Sequence, residues 1–225
     1  MNCFEDTENT PITMAMGVST ALTQLIQRNQ ARIVHWQAQN VSNLSGMGKE
    51  ILGYPQVGSG KPSRFDSAYI PEISVEDYVE RIQTYSKCSE CVYVVAMIYI
   101  DRLIEGKGMT VTPLNVHRLF ITAILLAAKF YDDMSFKNAF YATLGGIEKE
   151  EINLLEVDFL NMIKFSLVVS REEYDSYKRV LMSDPVRKIV SINTMPAHPS
   201  TPTSVTQGVY DNFSVFTQSL SVAYH

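Results

Sequence analysis

Residues 115–133 read NVHRLFITAILLAAKFYDD. A helical wheel through this stretch is apolar on almost every side, and a helix of that kind has to be enclosed by others. Val116, Leu119, Phe120, Ala123, Leu126, Ala127 and Phe130 fill one broad face, and Ile121, Ile124 and Ala128 fill most of the rest. Arg118, Thr122, Leu125 and Lys129 line up at spacings of four, three and four. That stripe is the only one a surrounding core need not cover. It is either a solvated edge with one stray leucine or an edge that meets a partner. The stretch predicts an all-α protein with this helix at its centre.

The whole chain has 225 residues, 46% hydrophobic and 19% charged. That size suits one domain with extensions. A formal net charge of -5 and the lack of a Lys/Arg cluster argue against general nucleic-acid binding. The longest apolar run, Cys91 to Ile100, is far short of the roughly 20 residues that span a bilayer. Cys88 and Cys91 form a lone C-x-x-C with no second pair to complete a zinc site. They read, with Cys3, as free thiols in a reducing compartment. The acidic N-terminus lacks a targeting pattern, so the expected location is intracellular, in cytoplasm or nucleus.

Four segments follow from the chain in order. Residues 1–40 hold a leader and a helix from Ile12 to about Trp36, expected to lie outside the core as a buttress or interaction arm. Residues 41–72 carry Gly46, Gly48, Gly53, Pro55, Gly58, Gly60, Pro62 and Pro71, a density that predicts a linker. Residues 73–182 form the helical domain. Ser74 and Ser170 are its clearest caps, with Asp77 and Glu173 placed to complete capping boxes. Between them the pattern predicts helices over 91–104, through the central stretch, over 135–144 and over 148–163. Residues 183–225 are rich in Ser, Thr, Pro and Gln and read as a loosely packed tail.

Two charged groups fall where apolar ones are expected. Glu156 lies on the helix from Glu148 among Ile152, Leu155, Phe159, Leu160 and Ile163. A carboxylate there is costly unless it is paired or reaches the edge. It is either wet at the rim or converges with Lys129, the two pairing or hydrogen-bonding a partner's backbone. Asp101 interrupts the apolar run YVVAMIYI, and an antiparallel hairpin of the first two domain helices brings Arg81 to it as a partly buried, architectural ion pair. Catalytic signals are weak. The sequence holds no H-E-x-x-H, no G-x-S-x-G and no P-loop. A small helical enzyme using Asp132, Asp133 and His117 is the competing catalytic reading.

The runs YVERIQTYSKCSECVYVVAMIYIDRLI, NVHRLFITAILLAAKFYDDMSFKNAFYATLGGI and EEINLLEVDFLNMIKFSLVVSREEYDSY, in this order, resemble the cyclin box. More narrowly they are similar to P/U-type cyclins, the group related to the fungal phosphate-pathway cyclin. The resemblance covers about residues 73–182. It implies a five-helix box that binds and activates a cyclin-dependent protein kinase and performs no chemistry itself. It calls for no catalytic residue, cofactor, metal, nucleic acid, membrane or small-molecule substrate. In cyclins a lysine of the third box helix and a glutamate of the fifth contact the kinase. The matching positions are Lys129 and Glu156, with Leu125 adding apolar area, and Arg81 and Asp101 match a buried pair between the first two box helices. The alternative within the family is a cyclin-fold adaptor or transcription-associated module without kinase activation. VERIQ stands where many cell-cycle cyclins carry M-R-A-I-L, so docking of substrates through that groove is not implied. Thr10-Pro11 and Thr201-Pro202 fit proline-directed phosphorylation.

Overall fold

The computed structural model describes residues 13–44 and 63–183, with side chains described outside 31–44. All regular structure among them is helical: α1 (Met14–Leu44), α2 (Val75–Ser86), α3 (Glu90–Lys107), α4 (Val116–Tyr131), α5 (Asn138–Gly145), α6 (Lys149–Met162) and α7 (Arg171–Leu181). Helices α2 to α6 make the five-helix box, with α1 and α7 as flanking helices. The acidic leader, Thr10-Pro11, the middle of the expected linker, and the tail with Thr201-Pro202 lie outside the described residues.

Two central helices share the enclosed position. Every residue of α3 from Val92 to Ile100 is buried. Helix α4 is buried without a gap from Leu119 to Ala128. Each packs along the other, and α1, α6 and α7 close around α3 while α2, α5 and α6 close around α4. This answers the ambiguity of the β-branched run after Cys91. Burial on all sides in a helical bundle overrides the strand preference of Val and Tyr. Phe130, expected in the core, is 48% exposed, because α4 runs past the edge of the bundle there.

The helix ends follow local chemistry. The Ser74 hydroxyl accepts from the Asp77 amide at 3.0 Å and donates to the Asp77 carboxylate at 2.7 Å. Ser170 accepts from the Glu173 amide at 3.1 Å. Gly108 and Gly146 end α3 and α5 in the left-handed region, with φ of 63° and 70°, the conformation that glycine adopts without a Cβ penalty.

Two expectations about domain layout are corrected. Helix α1 is not an arm. Met14, Ala15, Val18, Ala21, Leu22, Leu25 and Ile26 are core residues, and α1 packs against α2, α3 and α7. The described end of the expected linker is also built in. Phe65 is 1% exposed and meets the Phe159 ring edge-on at 5.9 Å. Asn115 donates to Asp66 at 3.0 Å, and the Ser67 amide donates to the Leu114 carbonyl at 2.9 Å. One buried aromatic among many turn residues is a weak periodic signal, so the composition of the segment hid its anchor.

Candidate functional site

The C-terminal end of α4 and the middle of α6 bring Lys129 and Glu156 together. The Lys129 ammonium donates to Glu156 Oε1 at 2.6 Å, with the lysine side chain 35% exposed and the glutamate 16%. Glu156 Oε2 accepts from the Asn138 side-chain amide at 2.7 Å. The same amide nitrogen donates to Asn153 Oδ1 at 2.8 Å. Asn138 opens α5, so α4, α5 and α6 each contribute to one connected polar group. Among the described residues, two of the three Lys129 donors meet no acceptor. The pair is therefore assembled and still able to bond outward. Phe130, Phe136, Leu154 and Val157 are exposed beside these residues in sequence, at 42–54%. Phe136 stacks on Phe140 with centroids 4.1 Å apart. The sequence carried a signal for Leu154 and Val157, since both are apolar and both fall off the buried face of α6.

The stripe on α4 is not one open edge. Leu125 and Thr122 are fully buried. Helices α5 and α6 both pack on α4, and the Thr122 hydroxyl turns back to the Arg118 carbonyl at 2.7 Å. Leu125 is therefore a core residue and offers no apolar area at a surface. Arg118 pairs with Glu151 at the first turn of α6. Both charged ends of the stripe thus reach a carboxylate of α6, and of the two cations Lys129 is the more exposed, at 35% against 22% for Arg118.

Arg81 and Asp101 do not meet. Arg81 donates to the Thr143 carbonyl of α5 at 3.2 Å. Asp101 accepts from the Tyr177 hydroxyl of α7, and the positive charge of Arg28 on α1 acts on its carboxylate. The hairpin of α2 and α3 was the wrong frame, because α1 and α7 occupy the side of α3 that carries Asp101. Burial raises the Asp101 carboxyl above the usual carboxylate range despite the Tyr177 hydrogen bond and Arg28. The neighbouring Arg102 makes the denser tie. It donates to Glu173 at 2.9 and 3.1 Å, to the Val168 carbonyl at 2.9 Å and to the Ser166 carbonyl at 2.5 Å.

A cyclin family model matches residues 15–167, from the first turn of α1 to the segment after α6. Cyclin-U2-1 of Arabidopsis thaliana is 36% identical over 176 residues, covering 77% of this chain and 70% of that protein. The chain belongs to the cyclin family, in its P/U-type group. Cyclin-U4-3 of Arabidopsis thaliana is 46% identical over 118 residues, 52% of this chain and 54% of its own length. Cyclin-P4-1 of Oryza sativa subsp. japonica is 46% identical over 123 residues, 54% of this chain and 58% of its own length. The match thus spans little more than half the length of these two relatives. Membership carries a regulatory role.

The catalytic reading of this cyclin fails on distance. His117 lies in the first turn of α4, and Asp132 and Asp133 follow its last turn, so some 15 residues at ~1.5 Å each, about 22 Å, keep them apart. Asp132 instead accepts from the Ser89 amide at 3.3 Å and from the Ser89 hydroxyl, tying the end of α4 to the start of α3. His117 Nε2 meets the Ile73 carbonyl at 3.1 Å, and Nδ1 is buried without a hydrogen-bond partner. Burial, the larger cause, holds the ring below the usual imidazole range. Cys88 and Cys91 are free and half-buried. Burial pushes the Cys88 thiol up, which disfavours the reactive thiolate. No group of three metal-ligating side chains occurs among the described residues.

Proposed function

We propose that this cyclin binds a cyclin-dependent protein kinase and activates it by holding the kinase in its active arrangement. The observation that carries the proposal is the Lys129–Glu156 pair, assembled at the junction of three helices with donors still open. A ligand shifts an equilibrium only by its differential affinity for the two states. Moving a kinase from almost all inactive to almost all active takes about 5.5 kcal/mol of difference. A partly open ion pair supplies only ~0–1 kcal/mol. Phe130, Phe136, Leu154 and Val157 supply the right scale, at about 1.5–3 kcal/mol for each side chain fully buried. The apolar side chains then carry affinity, and Lys129 and Glu156 fix register on the partner's backbone. Drawing in the kinase's regulatory helix completes the internal Lys–Glu pair that phosphoryl transfer requires.

Lys129→Ala or Glu156→Ala should leave the melting transition nearly in place and weaken kinase binding. Titration of candidate kinases with each variant, read as bound fraction and as phosphoryl transfer, checks this. Equal binding by wild type and the double variant would sink the assignment. Tight binding with no gain in phosphoryl transfer would instead make the protein an adaptor.

A further inference from the structure

Glu156 bonds Lys129 through one oxygen and Asn138 through the other. An ionised carboxylate only accepts, so the group of Asn138 that faces it has to be the NH2. The same NH2 reaches Asn153 Oδ1. Its two protons are thus committed, one to each of two α6 residues, from the first residue of α5. We propose that Asn138 is a positioning residue, fixing the Glu156 carboxylate so that Lys129 stays presented to the partner.

The reason lies in what Glu156 does without it. A glutamate at the rim of a helix has several rotamers, and a lone ammonium follows it among them. With Oε2 tied to α5, Oε1 has one position, and so does the Lys129 ammonium. The amide also keeps the carboxylate from taking Lys129 with both oxygens, which would consume donors that the partner needs. Asn138 therefore acts through Glu156, and it preorganises the site at no cost to the partner.

This inference rests on the kinase-binding reading, and a double-mutant cycle separates the two. Asn138→Ala is expected to weaken kinase binding by about threefold to tenfold in the wild-type background. It is expected to have no effect when added to Glu156→Ala. The full effect persisting in Glu156→Ala would overturn the proposal, as would wild-type binding by Asn138→Ala. Asn138→Asp keeps the side-chain size, replaces both donors with acceptors and repels Glu156. Its binding should be weaker than that of Asn138→Ala and recover partly at high salt; wild-type binding would again overturn the proposal. If Glu156→Ala alone binds normally, the kinase-binding reading has failed, and the hydrogen bond is judged in the free protein. There the Asn138 side-chain amide resonances should move in Glu156→Ala, and unmoved resonances would overturn the positioning role.

Discussion

Leu125 and Lys129 stand one helical turn apart on α4 and do opposite work. Leu125 is fully enclosed, so Leu125→Ala should cost about 2–5 kcal/mol of stability. Urea denaturation measures that loss, and the folded fraction should still bind kinase normally. Lys129→Ala should behave the other way round. His117 supplies a pH dependence. Its folded state resists protonation because burial, helped by the Arg118 charge, disfavours the cation more than the backbone hydrogen bonds to Ile73 and Ser74 favour it. The unfolded ring protonates near its ordinary value of about 6.5. The unfolded chain thus binds more protons as pH falls from there toward the lower folded value, and stability falls with it. His117→Gln should flatten that part of the stability curve, as pH falls through and below about 6.5, in chemical denaturation. A wheel gives the angle of each residue on its own helix. It could single out Lys129 and Glu156 because both lie at edges. It could not place Leu125 or Thr122, because what covers them belongs to other helices packed on α4.

Helix ends were legible where the chemistry is local. Ser74 and Ser170 cap as their spacing indicates, and Ser74→Ala or Ser170→Ala should each cost about 1 kcal/mol in thermal unfolding. Glu173 shows where locality stops. Its amide takes part in the cap of α7, but its carboxylate goes to Arg102 on α3, across the molecule. With both side chains less than a fifth exposed, Arg102→Ala strands that carboxylate and leaves the Ser166 and Val168 carbonyls short of a donor. A loss of about 2–3 kcal/mol should follow, measured by equilibrium unfolding, with α7 losing amide protection first. Tyr99 and Tyr131 both donate to the Leu167 carbonyl, at 2.8 and 3.2 Å, so this irregular segment is held from α3 and α4 together. No pattern within residues 163–170 announces that, because every partner is distant in sequence.

At the scale of the molecule, the five box helices were readable from three ordered motifs, while the roles of α1 and α7 were not. Their apolar faces are readable in the sequence but do not say what they pack on, and only the packing shows that α1 brings the charge of Arg28 to Asp101 while α7 brings Tyr177. The two helices come into close contact at Gly17. A Cβ there would land inside contact distance of the Leu181 carbonyl oxygen, a backbone atom that cannot swing aside. Gly17→Ala should therefore cost near the top of the 1–3 kcal/mol range typical of overpacking, or push α7 off the bundle. Denaturation and the amide protection of α7 report which occurs. The closure between the first and last described helices has a consequence for biosynthesis. A ribosome delivers α1 first and α7 last, and chain elongation at about 5–20 residues per second separates them by many seconds. Through that interval α1 has only part of its final surroundings. The nascent chain is then most in need of a chaperone at its N-terminal half, and a message cut short before Leu181 yields a product fit for degradation.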